Sequence, residues 1–452
     1  MNTIARNFFQ FAGVHSLLIG LLPFFIPVLL LQRGNTIEAI ALFIALTGLS
    51  FIFSLKLWEK VYQKANWRLI TAASFMTEIC LVAALLYIDG IQLLVLAALL
   101  NGAYNCFYWT TQRVLFSTMT TEPAQSSDSA SDGQPSANHQ TGRHYGNFQI
   151  MVVVLLKLGI LISVFLLEGG YEFQLFVLST VISGGAMLWF LRTSNTTTLA
   201  TINETLSRSS SRHDSLTESA TTSGSVQAQS HYQSIFKFKD NHNSAVVFYL
   251  DGVFLFLESY FWIISLYYIT QENIKQLGLI VVLLTVFLSV IFFLLKNRID
   301  AIDRNKIYVI AVVFYAASWL LRSMLDNSMP DYWIYPAILV IAFLTTFFRL
   351  SFNKRFFDNA RQLRPLNYLL AKSYLSQTGI VIFFTLIALL ASYFEDVQSA
   401  LASTYLILTP IALIYLVYSV PKEAVNRSPT EEESRASVTA PPQNLQFSKT
   451  EN

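Results

Sequence analysis

Two acidic residues stand in an otherwise apolar and aromatic stretch, FYLDGVFLFLESYFW, which covers residues 248–262. On a helix, Asp251 and Glu258 lie two turns apart, so they share one face and are about 20° and about 10 Å from each other. A carboxylate inside an apolar helix is costly unless it faces a partner or water. The two acids are therefore candidates to bind a cation, a proton or a cationic part of a solute.

Three further ionisable residues interrupt apolar runs. Lys157 lies at a similar depth to Glu258, and we expect a salt bridge between them, because an unpaired buried charge is strongly unfavourable. His15 is a candidate proton relay to Asp251. Glu78 is a weaker candidate of the same kind. The alternative for each is structural, either an ion pair that locks helices together or a hydrogen-bonded packing residue.

The run LLNGAYNCFYWTTQR places amides and aromatic rings at helical spacing, so several share one face. Such a face suits polar, hydroxylated or ring-bearing solutes. The alternative is that the amides bridge helices and Trp109 belongs to an interfacial belt. Arg349 is a candidate clamp for an anionic group, or else an anchor at the membrane surface. The candidates for solute contact on this run are Asn101, Asn105, Tyr108 and Gln112.

These residues are carried by an exceptionally apolar chain. Of its 452 residues, 54% are hydrophobic and 13% are charged, whereas soluble proteins average about 25% charged. That composition predicts an all-α polytopic membrane protein in the lipid bilayer, and the net charge of +2 gives no basic field for nucleic acid. Runs near 20 residues match a bilayer. We predict twelve spans, at 8–31, 37–57, 68–88, 91–115, 146–168, 171–191, 244–269, 275–296, 306–325, 332–352, 370–393 and 398–419.

Polar, Ser- and Thr-rich segments divide these spans into two halves. Residues 119–142 and 193–240 lack the apolar content needed to fold, and we expect both to be disordered. The expected organisation is a first six-helix bundle at 1–192, a cytoplasmic linker at 193–240, a second bundle at 241–420 and a disordered tail at 421–452.

Two local features refine the helices. Pro23 and Pro27 predict a kink in the first helix, because proline removes a backbone hydrogen bond. The pair Gly184–Gly185 predicts close helix packing in the sixth.

The distribution of basic residues predicts the orientation. All but four of the 30 Lys and Arg residues fall on the side of the two chain termini. Arg33, Lys275 and Arg322 fall on the opposite side, and Lys157 lies within a span. Cytoplasmic loops carry the excess of basic residues, so both termini are expected in the cytoplasm.

The two halves have similar sequences at equivalent positions, and together they resemble a known family. PFFIPVLLL at 23–31 aligns with SYFWIISLY at 259–267, and FYWTTQR at 107–113 echoes FFRLSFN at 347–353. With equal span counts this suggests a 6+6 repeat. The chain, over about 5–420, resembles a major facilitator superfamily transporter, poorly characterised bacterial members included. The resemblance implies that the membrane is a bacterial inner membrane.

The resemblance implies two pseudo-symmetric six-helix bundles and a cytoplasmic gate. In that family an acidic-basic signature forms the gate, and NRIDAIDRNK carries it here as Asp303 and Arg304. Glu59 in SLKLWEKVYQK stands in for the first copy, which lacks its glycines. The antiporter signature of the fifth helix is absent.

We therefore expect a secondary transporter that moves a small polar organic solute by alternating access, coupled to protons. The sequence contains no nucleotide loop, HExxH motif or cysteine cluster, so no enzyme activity, cofactor or metal is expected, and the protein is expected to be a monomer. A uniporter or antiporter without proton coupling remains open. So does a transporter-like receptor or assembly factor.

Overall fold

The computed structural model is all-helical over the residues that it describes. Eleven helices in this part of the chain are long and apolar enough to cross a membrane, and another contains the shorter apolar stretch Ile274–Ser289. This agrees with twelve spans in an integral membrane protein. The described residues are 3–64, 67–121, 137–193, 240, 242–300, 304–326, 329–362, 365–391, 393 and 396–419.

Six helices form the first bundle. We call the membrane side on which α1 begins the near side and the opposite one the far side. The first helix, α1, runs over Thr3–Leu21 and continues through a 3-10 turn at Pro23–Phe25 into Ile26–Gln32. The others are α2 (Ile37–Gln63), α3 (Trp67–Tyr87), α4 (Gly90–Asn105, then Cys106–Thr110 and Thr111–Thr121), α5 (Ala137–Glu168) and α6 (Glu172–Thr193).

Six more helices form the second bundle. Its first helix, α7, covers Ser244–Phe256, Leu257–Phe261 and Trp262–Ile269. The others are α8 (Ile274–Asp300), α9 (Arg304–Met324), α10 (Asp331–Gln362), α11 (Pro365–Ala391) and α12 (Val397–Ala412, followed by a 3-10 turn at Leu413–Ser419).

Three helices change their winding, and two of the changes are π-helical. The prolines break α1 as predicted, with Pro23 opening the 3-10 turn. In α4 the segment Cys106–Thr110 is π-helical, and in α7 the segment Leu257–Phe261 is π-helical. Single π turns inside α-helices occur frequently at functional sites. Both segments lie beside the polar residues described below.

Glycines bring equivalent helix pairs together in the two bundles. A Cβ on Gly20 of α1 would overlap the backbone of α5, and one on Gly159 of α5 would overlap the backbone of α1. In the second bundle, Gly252 of α7 and Gly379 of α11 meet the partner backbone in the same way. Small residues let membrane helices approach this closely. The predicted close packing at Gly184–Gly185 is wrong, because a Cβ at either position meets nothing within 4 Å.

The two bundles touch at every depth of the membrane. On the far side, Gln32 donates a hydrogen bond to the Tyr267 hydroxyl at 3.2 Å. At mid-depth, Gly48 of α2 packs against Ile380 of α11. On the near side, the rings of Phe116 and Phe357 lie 4.6 Å apart.

The first polar insertion is shorter than predicted. Helix α4 continues to Thr121 and α5 begins at Ala137, so the two ends of the expected loop at 119–142 are helical. Residues 122–136 and most of the linker and tail lie outside the described residues.

Candidate functional site

A buried ion-pair network joins α7, α10 and α11 in the second bundle. The Asp251 carboxylate binds Nη1 of Arg349 at 2.5 Å through one oxygen and Nζ of Lys372 at 3.0 Å through the other. Glu258 binds Nε of the same Arg349 at 3.0 Å. One guanidinium therefore holds both acids, which agrees with the prediction that the two carboxylates share a face.

Two tyrosines complete the hydrogen bonding of the acids. The Tyr315 hydroxyl of α9 donates to Glu258 at 2.5 Å. The Tyr415 hydroxyl of α12 donates to Asp251 at 3.5 Å. Lys372 also lies 4.3 Å from the ring centroid of Phe356. Every carboxylate oxygen in this network has a partner, as a buried ion pair needs in order to offset desolvation.

Two arginines beside the network have no carboxylate partner among the described residues. Arg113 of α4 is half-buried at the boundary between the bundles, where it donates to the Ser373 hydroxyl at 3.3 Å. Arg322 of α9 is buried between the indoles of Trp262 and Trp319, 4.9 and 4.4 Å from their centroids. Network and arginines together carry four cations and two acids.

A chain of side-chain hydrogen bonds crosses from α4 to α7. The Trp109 indole donates to Asn105 at 3.1 Å, and Asn105 donates to Asn101 at 3.1 Å. Asn101 then donates to the Tyr260 hydroxyl of the second bundle at 3.0 Å. These residues lie along the boundary between the bundles, and the hydrogen bond from Asn101 to Tyr260 joins the two.

A second polar cluster is buried inside the first bundle. His15 of α1 and Glu78 of α3 are both fully buried, with Nδ1 and Oε2 3.8 Å apart. The other ring nitrogen of His15 lies 3.0 Å from the Ser74 hydroxyl. Aromatic rings enclose the imidazole, with Phe75 stacked at 4.2 Å and Tyr108 at 4.5 Å.

Comparison with known proteins places the fold. No family model and no curated protein matches the chain. Among solved structures, the nucleoside transporter NupG aligns with a TM-score of 0.60 at 11% identity, over 94% of this chain and all of NupG. A point variant of NupG gives 0.55 at 12% identity over the same shares. The human organic anion transporter MFSD10 gives 0.52 at 13% identity, over 91% of this chain and 98% of MFSD10.

The fold is the one shared by NupG and MFSD10, as expected from the resemblance to the major facilitator superfamily. It agrees with the twelve spans and the two bundles expected from the repeat. The neighbours themselves are a nucleoside transporter and an organic anion transporter. At these identities the likeness concerns the fold alone.

Several contacts predicted from the sequence differ from those in the structure. The predicted salt bridge from Lys157 to Glu258 is wrong, because Glu258 binds Arg349. Lys157 makes no ion pair with a described residue, and it lies on the partly exposed side of α5. His15 does not lie beside Asp251, since it contacts Glu78 in the other bundle.

The predicted solute face of α4 is divided. Asn101 and Asn105 lie at the boundary, whereas Tyr108 is fully buried inside the first bundle against His15. The residue Gln112 is also buried. Tyr108 follows the start of the π-helical segment, so the regular 100° step used to place it on this face does not apply.

The gate residues are only partly described. Glu59 lies near the near-side end of α2, half-buried, with the Tyr374 hydroxyl of α11 hydrogen-bonded to its carboxylate. It therefore bridges the two bundles. Arg304 begins α9, and its side chain and the whole of Asp303 lie outside the described residues.

Sequence reasoning missed that Lys372 and Arg113 lie inside membrane spans, where they contact other polar side chains. Both were counted as basic residues of near-side connections, as was Arg349, yet all three lie within the described spans. The signal was available in the run LLAKSYLSQTGIVIFF, where a single lysine interrupts an apolar helix. An isolated basic residue of that kind is expected to face a partner.

Proposed function

We propose that the protein is a secondary transporter that moves a small polar organic solute with an anionic group, by alternating access and coupled to protons. The observation that supports the anionic group is the excess of two positive charges at the charged network and its neighbouring arginines. An anion bound there would reduce that excess. Arginine also recognises carboxylate and phosphate with two parallel hydrogen bonds.

Arg113 is the proposed ligand for the anion, assisted by Lys372. Arg113 comes from the first bundle and Lys372 from the second, and Ser373 connects them, since it neighbours Lys372 and accepts from Arg113. A solute held by both would bridge the bundles at the boundary that alternating access must open and close. Asn101 and Asn105 would contact its polar part. One of the structural neighbours, MFSD10, is an organic anion transporter, which is consistent with this proposal.

The acids of α7 have a supporting role in this proposal. Asp251 is neutralised by two cations and Glu258 by Arg349, so neither carboxylate is left free for a cationic solute. Their role is to fix Arg349 and Lys372 in position. Rearrangement of these pairs on solute binding would link binding to the movement of the bundles.

Matched pairs of solutes that differ by one anionic group test the proposal. A nucleoside with its monophosphate and an aromatic alcohol with its carboxylic acid are compared for thermal stabilisation of the purified protein. We expect an anionic member to stabilise more than its neutral partner. Arg113→Gln should weaken its binding about tenfold or more, because a hydrogen bond to a charged group contributes about 1.5–3 kcal/mol. Lys64→Gln, on the exposed near-side end of α2, is the matched control.

Transport is measured with the stabilising solute in proteoliposomes. We expect exchange of labelled solute, and accumulation when a pH gradient is imposed. If no anionic member stabilises more than its neutral partner, the anion assignment is wrong. If a stabilising solute is never exchanged, the protein is a receptor or assembly factor. Exchange without a response to the pH gradient would indicate a uniporter or antiporter.

A further inference from the structure

We infer that the buried cluster of His15 and Glu78 in the first bundle is a proton-binding site, in which Glu78 holds one proton opposite Nδ1 of His15. The inference deepens the proposed function. Proton binding at this site does not depend on that proposal, whereas the role of the proton in driving transport rests on it. Both residues are remote from the ion-pair network, in helices α1 and α3.

The hydrogen bonds of Ser74 determine which ring nitrogen of His15 carries hydrogen. The Ser74 hydroxyl donates to the carbonyl oxygen of Thr71 at 2.7 Å, so its proton is already committed. Ser74 must then accept from Nε2 of His15 at 3.0 Å. A neutral imidazole has one N–H and one lone pair. The lone pair is therefore on Nδ1, the nitrogen that faces Glu78 at 3.8 Å.

A lone pair opposite a charged carboxylate would be repulsive, and a proton between them removes the repulsion. The proton has two places, on Glu78 as a neutral acid or on His15 as an ion pair. Both side chains are fully buried, and burying an ion pair costs more than burying two neutral groups. The neutral arrangement is therefore favoured, with the proton on Glu78. Because 3.8 Å exceeds a hydrogen-bond distance, the carboxyl group has to move towards Nδ1 in order to donate to it.

No fixed cation neutralises Glu78 within the described residues. Its salt-bridge partner there is His15 alone. The other polar groups that face this cluster are hydroxyls on three helices, and none carries a positive charge. These are Ser74 on α3, Tyr104 and Tyr108 on α4, and Ser183 on α6.

Polar atoms without a close partner indicate that this cluster binds a proton. Both carboxylate oxygens of Glu78 and Nδ1 of His15 are buried without a close hydrogen-bond partner, as is the hydroxyl of Tyr104. The Ser183 hydroxyl lies near the Glu78 carboxylate, and the Ser16 hydroxyl lies near that of Tyr108. More than nine in ten buried polar groups normally have a partner. A proton on Glu78 provides a donor for Nδ1. The hydroxyls can then satisfy the remaining carboxyl oxygen.

Infrared difference spectroscopy tests the site without any solute. Purified protein is compared between acidic and alkaline buffer, and the carbonyl stretch of a protonated carboxyl group is followed. We expect a band that Glu78→Gln removes and that Glu172→Gln, an exposed acid paired with Arg33, leaves unchanged. Because Glu78→Gln keeps the side-chain shape, thermal unfolding of the variant shows whether it still folds.

A variant of the acceptor separates the proposed hydrogen bond from simple burial of an acid. His15→Phe keeps a ring in the aromatic enclosure and removes Nδ1. The band should persist and move to higher wavenumber, since the carboxyl group loses its acceptor. An unchanged band position in His15→Phe, or an unchanged band in Glu78→Gln, overturns the inference. Loss of the wild-type band on adding sodium chloride at constant pH would also overturn it, in favour of a metal cation.

The link to transport is tested separately. With the anionic solute retained by the stability screen, Glu78→Gln proteoliposomes should exchange solute but fail to accumulate it under a pH gradient. Accumulation equal to the wild type would show that the proton bound at Glu78 does not drive transport. The infrared result is independent of this outcome, so failure of the transport proposal and failure of the proton site are distinguishable.

Discussion

The ion pair between Asp251 and Lys372 gives the sharpest test of the charged network. Asp251→Asn leaves Arg349 paired with Glu258, whereas Lys372 loses its carboxylate partner at 3.0 Å. The two side chains are 6% and 7% exposed, so the remaining charge is buried. Breaking one partner of a buried pair costs roughly 3–5 kcal/mol, a large part of a typical stability of about 5–15 kcal/mol.

Removal of both partners should recover much of that loss. Lys372→Met eliminates the unpaired ammonium and keeps the apolar side-chain length. We expect Asp251→Asn with Lys372→Met to be more stable than Asp251→Asn alone, with a coupling of about 1–3 kcal/mol between the two sites.

Thermal unfolding of purified wild type, both single variants and the double variant provides the comparison. Glu172→Gln is the control, because its exposed pair with Arg33 is worth about 0–1 kcal/mol. Additive losses in the double variant would refute the reasoning, since they would mean that Asp251 and Lys372 do not interact. If the double variant is more stable than the wild type, the pair lowers the stability of the fold, and its role is in function.

Three further predictions follow from other parts of the chain. Gly252→Val should abolish monodisperse expression because its side chain would overlap the backbone of α11, whereas Gly184→Ala meets nothing within 4 Å and should express normally. Tyr260→Phe removes the acceptor of the Asn101 amide at 3.0 Å and should lower stability by about 1 kcal/mol in thermal unfolding, with no change as the contradicting result. Deletion of residues 200–230, chosen on composition, should leave the melting temperature unchanged, and a large loss would mean that this segment packs on the bundles.

The overall architecture could be predicted because it depends on local properties. Run lengths near 20 apolar residues identify membrane helices, and the spacing of Asp251 and Glu258 places both acids on one face. The kink at Pro23 also follows from local chemistry. Each of these features needs only one helix to be known.

The partners of the acids could not be predicted in the same way. Arg349 and Lys372 are 98 and 121 residues from Asp251 in the chain, and their pairing depends on how α7, α10 and α11 pack. The predicted eleventh span began at residue 370, so Lys372 was assigned to the membrane edge, whereas the helix begins at Pro365. An error of a few residues at a boundary thus moved a buried cation into a loop.

To predict the pairing of His15 with Glu78, one would also need to know how the helices pack. Nothing in α1 alone indicates that His15 faces α3 and not the boundary with Asp251. The π-helical segment of α4 caused a separate error, since regular helical spacing placed Tyr108 with Asn101 and the extra residue in the turn rotated it away. Local irregularity and long-range packing account for what the sequence could not reveal.

The proposed anion and proton sites meet on a single helix, and this arrangement suggests how one could affect the other. On one face of α4, Tyr108 packs against His15 at 4.5 Å, and on the boundary Arg113 donates to Ser373 of the second bundle. The π-helical segment Cys106–Thr110 includes Tyr108 and ends three residues before Arg113. A change of winding there would move both side chains relative to Asn101. Coupling between two binding sites is reciprocal. If a proton at Glu78 changes the affinity for an anion, the anion must change the affinity for that proton by the same factor.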